Sequence, residues 1–216
     1  MGVFMNTFCR SARALLLVGL FSMGMASAAD KGIDYIPIIP EQPTDSVKKV
    51  EVVEVFSYAC PHCASLAPTI ESWARKLPAN VTYKRIPVSF GRPQWTVMSK
   101  AYYALESMNE ADHLHEKIFN AIHTERLNLF SEDILFNWIE KQGVNRQKFL
   151  DAYNSFAVQS KVARGDQKSM AYGVDAVPTI IIDGKYRTSP SIAGGNATLF
   201  PLLDELIKKA AKERGL

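Results

Sequence analysis

The period of the apolar residues in this chain changes twice, and that change limits the folds it can reach. Val50 to Ser57 contains a β-branched run, Val52-Val53-Glu54-Val55-Phe56, with strand character. Ala64 to Leu77 follows at helical spacing, with Leu66, Ile70, Trp73 and Leu77 on one face and with Pro68 expected to kink it. Val81 to Val88 is strand-like again, so strand, helix and strand predict a βαβ unit with parallel strands. From Pro93 to about Tyr172 the period is helical throughout. Trp95, Met98, Tyr102 and Leu105 form one stripe, and Leu114, Ile118 and Ile122 the next. Ser131 is placed to cap a run with Ile134, Leu135, Trp138 and Ile139, and Asn145 a run with Phe149, Tyr153 and Phe156; Val158, Val162 and Ser169 continue a last one. Strand character returns at Thr179 to Ile182. Asp183-Gly184 then gives a two-residue hairpin signal into Tyr186 and Arg187. Leu199, Leu202, Leu203, Leu206, Ile207 and Ala210 make an amphipathic closing helix, and Asn196-Ala197-Thr198 reads as its N-cap region. The expectation is an α/β fold in which residues 29–90 and 173–216 build βαβ and ββα around one sheet. Residues 91–172 form an inserted all-helical subdomain, and Asp30 to Ser46 is an extended lead-in.

Residues 1–28 stand apart from that pattern. Arg10 and Arg13 precede an apolar run from Ala14 to Met25, and Ala26-Ser27-Ala28 offers small residues for cleavage, the layout of a secretory signal peptide. The run is shorter than the roughly 18 apolar residues a membrane span needs, which disfavours the rival reading of an uncleaved anchor. Cleavage after Ala28 removes Cys9 and leaves 23 basic against 22 acidic residues, a net charge of +1. A near-neutral chain without a polybasic run is not expected to bind nucleic acid.

Export makes the two remaining cysteines informative. Cys60 and Cys63 lie three apart in a compartment where structural disulfides persist, yet a bridge around so small a loop restrains the unfolded chain little. A structural bridge is therefore the weaker reading. Zinc is weaker too, because tetrahedral sites need a fuller donor set, and His113 and His115 point to different faces of a helix while His123 stands alone. Redox chemistry remains, and it needs no cofactor. Cys60-Pro61-His62-Cys63 begins a helix where a strand has just ended, so Cys60 faces unpaired amides and the positive end of the helix dipole, which favour a thiolate. His62 would add to that stabilisation. Cys60 is accordingly expected to be the exposed attacking sulfur and Cys63, one turn deeper, the resolving one.

With Val52-Val53-Glu54-Val55-Phe56-Ser57-Tyr58-Ala59-Cys60-Pro61-His62-Cys63, Gly173-Val174-Asp175-Ala176-Val177-Pro178 and Asp183-Gly184-Lys185-Tyr186 in view, the chain resembles the thioredoxin superfamily and, within it, the DsbA family of bacterial periplasmic oxidases. The resemblance implies a thioredoxin fold interrupted by helices, a periplasmic location and a monomer. It implies that Val177 and a cis Pro178 lie beside the cysteines and bind an extended substrate segment, where an ordinary strand-entry proline is the alternative. Glu54, six residues before Cys60, would be a buried acid that relays a proton, against the alternative of an exposed edge position. Arg85 falls where related oxidases often carry a lysine partner for that acid, and arginine does not give up its proton.

The same motif serves oxidases, reductases and isomerases. Pro61 and His62 between the cysteines tip the reading toward a dithiol oxidase acting on reduced exported proteins and reoxidised by a quinone-linked membrane partner of the DsbB type. A cytochrome-maturation reductase is the enzymatic rival, and a chaperone-like holdase is the rival of another class. An isomerase would carry a separate dimerisation domain, for which residues 29–49 are too short.

Overall fold

A computed structural model describes residues 1–2 and 29–216, so the expected export signal lies outside the described residues apart from Met1 and Gly2. The elements run β1 (Ile36–Pro37), β2 (Val50–Phe56), α1 (Pro61–Ala74), β3 (Val81–Pro87), α2 (Pro93–Ser107), α3 (Ala111–His123), α4 (Glu132–Lys141), α5 (Arg146–Tyr153), α6 (Phe156–Ala171), β4 (Thr179–Ile182), β5 (Tyr186–Thr188) and α7 (Asn196–Arg214). The strands form one sheet in the order β1-β5-β4-β2-β3, with β2 and β3 parallel and every other pair antiparallel. Helices α2 to α6 fall between β3 and β4, which is the α/β thioredoxin-type arrangement with inserted helices.

β2 is buried at all seven positions because it is covered on both faces. Val50 and Val52 pack with Leu66 and Ile70 of α1 and with Leu199, Leu203 and Leu206 of α7. Val53 and Val55 face the other way, onto Ile181, Tyr172 and Val174. A third cluster joins Phe56, Tyr58, Cys60 and Cys63 to the inserted helices through Leu105, Leu114, Ile118 and Phe119. Each fully buried side chain of this size contributes about 1.5–3 kcal/mol relative to exposure. The cysteines thus sit at the seam between sheet and helical layer.

The hairpin after β4 follows its sequence signal. Asp183 and Gly184 both have positive φ, 55° and 66°, and Lys185 N–H donates to the Ile182 carbonyl at 3.0 Å. Glycine is required at 184, since a Cβ there would lie 2.1 Å from the Gln42 carbonyl oxygen. That close approach pins the lead-in, part of which becomes β1 and pairs with Tyr186 and Arg187 in place of running free.

Other boundaries differ from the periodicity for local reasons. α1 ends at Ala74, leaving Leu77 beyond it, and continues through Pro68. Phe156 does not close the α5 stripe. Ser155 Oγ accepts from Val158 N–H at 3.2 Å and starts α6 anew, leaving Phe156 83% exposed. Asn145 caps α5 through Lys148 N–H, whereas Ser131 stands at its N-cap position without a side-chain bond. Gly195, with φ 131°, is the N-cap of α7, so Asn196 is its first helical residue and not the cap.

Candidate active site

β2 ends at Phe56, the chain turns through Ser57-Tyr58-Ala59, and Cys60 becomes the N-cap of α1 with extended backbone (φ −92°, ψ 117°). Pro61 follows at the first helical position, where its missing N–H costs nothing and its ring fixes the helical φ. The first turn carries no acid that would repel a thiolate. Both cysteines are free thiols.

The two sulfurs differ in charge preference. The Cys60 thiol is drawn down to about 6 from its ordinary 9.0, first by a hydrogen bond from the Cys63 thiol, against the cost of burial. The backbone N–H groups of Cys63 and His62 add to the effect, and the charge of His62 comes after them. Cys63 is wholly buried, and burial pushes its thiol far up. When Cys60 is protonated it donates to the Val177 carbonyl at 3.3 Å.

That contact corrects one expectation. Cys60 is not openly exposed: only 8% of the residue is accessible, because the 177–178 loop lies over it. The difference from Cys63 is between a narrow opening and none. The Val177–Pro178 peptide is cis. His62 is exposed on the surface of α1. Because its charge ranks below the hydrogen bond from the Cys63 thiol, His62→Leu should raise the Cys60 pKa by less than Cys63→Ala does, read from ultraviolet thiolate absorbance. A larger rise in the His62 variant would contradict that ranking.

Glu54 lies on an interior strand, next to the edge strand β3, opposite Arg85 of β3 and Ile180 of β4, and is 1% exposed. Burial pushes its carboxyl up to about 7, against the lowering effects of a hydrogen bond from Tyr83 and the charge of Arg85. The charge of Glu54, after burial and the Cys60 thiol, also helps to push the Cys63 thiol up. Arg85 is not its close partner. Its Nε stands 3.9 Å from Glu54 Oε2, while its other nitrogens bind Glu71 of α1 and, at 2.8 Å, Asp112 of α3. The Tyr83 hydroxyl donates directly to Glu54 Oε2.

A second set of groups escaped the sequence reading. Tyr58, two residues before Cys60, hydrogen-bonds through its hydroxyl to His115 Nδ1 at 2.9 Å. The Tyr58 carbonyl accepts from His123 Nε2 at 2.8 Å. His115 is 1% exposed, and burial holds it well below the ordinary imidazole range, so it is neutral. Phe56, Tyr58, His115 and Phe119 stack with ring centroids 4.9–6.1 Å apart. Two histidines of α3 therefore brace the turn that presents Cys60. His113 and His115 being two apart on a helix was legible; that His115 faces inward onto Tyr58 depends on how α3 packs. Among the described residues no group of His, Cys, Asp and Glu is arranged to hold a metal ion.

The comparisons with known proteins agree with this geometry. Residues 51–206 match the family described as DSBA-like thioredoxin domain. The thiol:disulfide interchange protein DsbA of Bordetella parapertussis is 37% identical over 208 residues, covering 96% of this chain and 99% of the relative. DsbA of Pseudomonas aeruginosa is 38% identical over 204 residues, covering 91% and 96%. The crystal structure of Pseudomonas aeruginosa DsbA superposes with a TM-score of 0.83 over 87% of this chain and 97% of that one.

Proposed function

This chain belongs to the DsbA family of periplasmic thiol:disulfide oxidoreductases, and we propose the following course for its reaction. A thiolate of a reduced exported protein attacks Cys60 Sγ of the Cys60–Cys63 disulfide. The S–S bond breaks, Cys63 leaves with the electron pair and takes a proton from Glu54. The substrate's second thiol loses its proton and attacks the substrate sulfur now joined to Cys60, closing the substrate disulfide and releasing Cys60 as a thiolate. The substrate loses two electrons and the Cys60–Cys63 pair gains them.

The contrast between the two sulfurs carries this reading. A thiol drawn down to about 6 is a good leaving group, and a stabilised thiolate favours the reduced form, which makes the disulfide oxidising. Cys63, buried and held protonated, is the sulfur that leaves in the first step, and it can resolve the mixed disulfide only after losing its proton. Pro61 sets the start of the helix, and His62 supplies a weaker electrostatic contribution. Val177 and Pro178 receive an extended substrate segment beside Cys60, where backbone pairing gives affinity with little sequence preference.

The family interacts with unfolded periplasmic proteins and with a membrane oxidase. The reading proposed for this chain is a monomer reoxidised by a quinone-linked partner of the DsbB type. Equilibrium with glutathione buffers tests the direction. The pair should be largely reduced at modest excesses of glutathione over its disulfide. A pair that stays oxidised until conditions are strongly reducing would move the assignment to a reductase. Cys63→Ser should trap mixed disulfides on Cys60, identified by mass spectrometry. Adducts appearing instead on Cys63 in a Cys60→Ser protein would reverse the roles of the sulfurs.

A further inference from the structure

Glu54 can give its proton to Cys63 only once per turnover, and it is sealed in the sheet. Reoxidation of the pair can hand that proton back from Cys63, but above about pH 7 Glu54 starts the step as a carboxylate, and a proton must then reach it from outside. The ionisable groups that face it are few. β3 supplies Tyr83 and Arg85, and α1 supplies Glu71 and Cys63. The turn before α1 brings Tyr58, and Asp112 of α3 acts only through Arg85. β4 presents Ile180, which has nothing to titrate. Arg85 holds its protons at any working pH, and its two terminal nitrogens are bound to Glu71 and Asp112.

Tyr83 differs from all of these. Its hydroxyl donates to Glu54 Oε2, and its side chain also lines a groove of about 670 Å³ along β3, together with Lys84, Arg85, Tyr102, Glu106 and Asp112. The Arg85 guanidinium carbon lies 5.2 Å from the Tyr83 ring centroid and steadies the ring. The side chain whose hydroxyl holds the buried carboxyl is thus also part of the wall of an open groove.

We propose that Tyr83 is a positioning residue that acts through Glu54, passing protons between groove water and the carboxylate. In the step, Tyr83 gives its hydroxyl proton to the Glu54 carboxylate while its oxygen takes one from groove water, so that no tyrosinate accumulates. The hydroxide left in the groove is neutralised by bulk buffer. Burial, which pushes the Tyr83 phenol well up, is consistent with a hop and not a resting charge. The proposal rests on the reading of Glu54 as proton donor to Cys63.

The test compares four full-length proteins, the parent, Tyr83→Phe, Glu54→Gln and the double variant, as disulfide forms oxidising a dithiol peptide. Below about pH 6 Glu54 carries its own proton, and the parent and Tyr83→Phe should react alike. Above about pH 8 the phenylalanine variant should be about ten-fold slower, within the range general acid catalysis supplies. Glu54→Gln should be slow at every pH, and the double variant no slower than it. Tyr83→His, which keeps a donor at the groove wall, should recover most of the loss. Cys60 thiolate titration should be the same in the parent and both Tyr83 variants.

A Tyr83→Phe profile superimposable on the parent, with Glu54→Gln slowed, overturns the role of Tyr83 and leaves that of Glu54 standing. A Glu54→Gln protein as fast as the parent removes both. A double variant slower than Glu54→Gln means that Tyr83 acts by another route and also overturns the proposal. Should Tyr83→Phe fail to fold, the unmodified protein decides the matter by redox-difference infrared spectroscopy. A tyrosine C–OH band should shift together with the carboxylic C=O band that Glu54→Gln removes. Absence of any tyrosine band overturns the relay.

Discussion

Between about pH 6 and about pH 9 the dithiol form of this protein should gain about 3 kcal/mol of stability over its disulfide form. The source is Cys60, whose thiol sits at about 6 in the folded chain against an ordinary 9.0. An acid with a depressed folded pKa stabilises the fold fully above its unfolded pKa and loses that contribution as pH falls through the folded one. Cys63 runs the other way, because its folded thiol is pushed up, but it matters only near and above pH 9, where the unfolded thiol ionises. The disulfide form has no thiol to titrate. Its own advantage, the closure of a very small loop, is about 2 kcal/mol and independent of pH. The disulfide form should therefore lead near pH 6 and the dithiol form near pH 9, with the curves crossing between. Denaturant unfolding of both redox forms across that range measures this. A difference that stays flat or falls with pH would show that Cys60 is not a stabilised thiolate, and with it the oxidase direction would go.

Glu54→Gln should make the protein more stable by about 3 kcal/mol at about pH 8, and should do so while slowing it. The carboxyl is pushed up to about 7 from 4.5 by burial, so above pH 7 the fold carries a charge that the unfolded chain holds more cheaply in water. For an acid with a raised folded pKa the cost is complete above that pKa and disappears below the unfolded one. The gain in the glutamine protein should accordingly shrink below pH 7 and vanish toward pH 4.5. Glutamine keeps an acceptor for the Tyr83 hydroxyl, and Arg85 keeps Glu71 and Asp112, so little else changes. Unfolding midpoints at about pH 8 and about pH 5 decide it. Equal stabilisation at both, or destabilisation at the higher, would mean that the carboxylate is not the strained species. A residue that weakens the fold and serves the chemistry is a common bargain at active sites.

The parts of this structure that could be read from the chain are those encoded over short distances. Val50 to Phe56, Thr179 to Ile182 and the helical run between β3 and β4 announce themselves by period, and Asp183-Gly184 by the backbone that its turn demands. Cys60 at a strand-to-helix junction is legible for the same reason. β1 is not, because Ile36–Pro37 is a strand only by virtue of Tyr186 and Arg187. Nor is the partner of Glu54. In a parallel pair Glu54 stands opposite Arg85, which makes Arg85 the natural guess, yet the hydroxyl that arrives belongs to Tyr83, two residues earlier on the same face. The bond from Tyr58 to His115 spans 57 positions and depends on how α3 docks, which no local pattern records.

The contact between Cys60 Sγ and the Val177 carbonyl spans 117 positions. A secreted chain emerges amino end first, so both sulfurs cross into the oxidising compartment long before the segment that will roof one of them. During that interval they are two thiols on an unfinished chain, with neither a helix end to favour a thiolate nor a loop to limit approach. A copy in transit therefore presents an ordinary dithiol, the same chemistry that the finished fold oxidises in other exported chains.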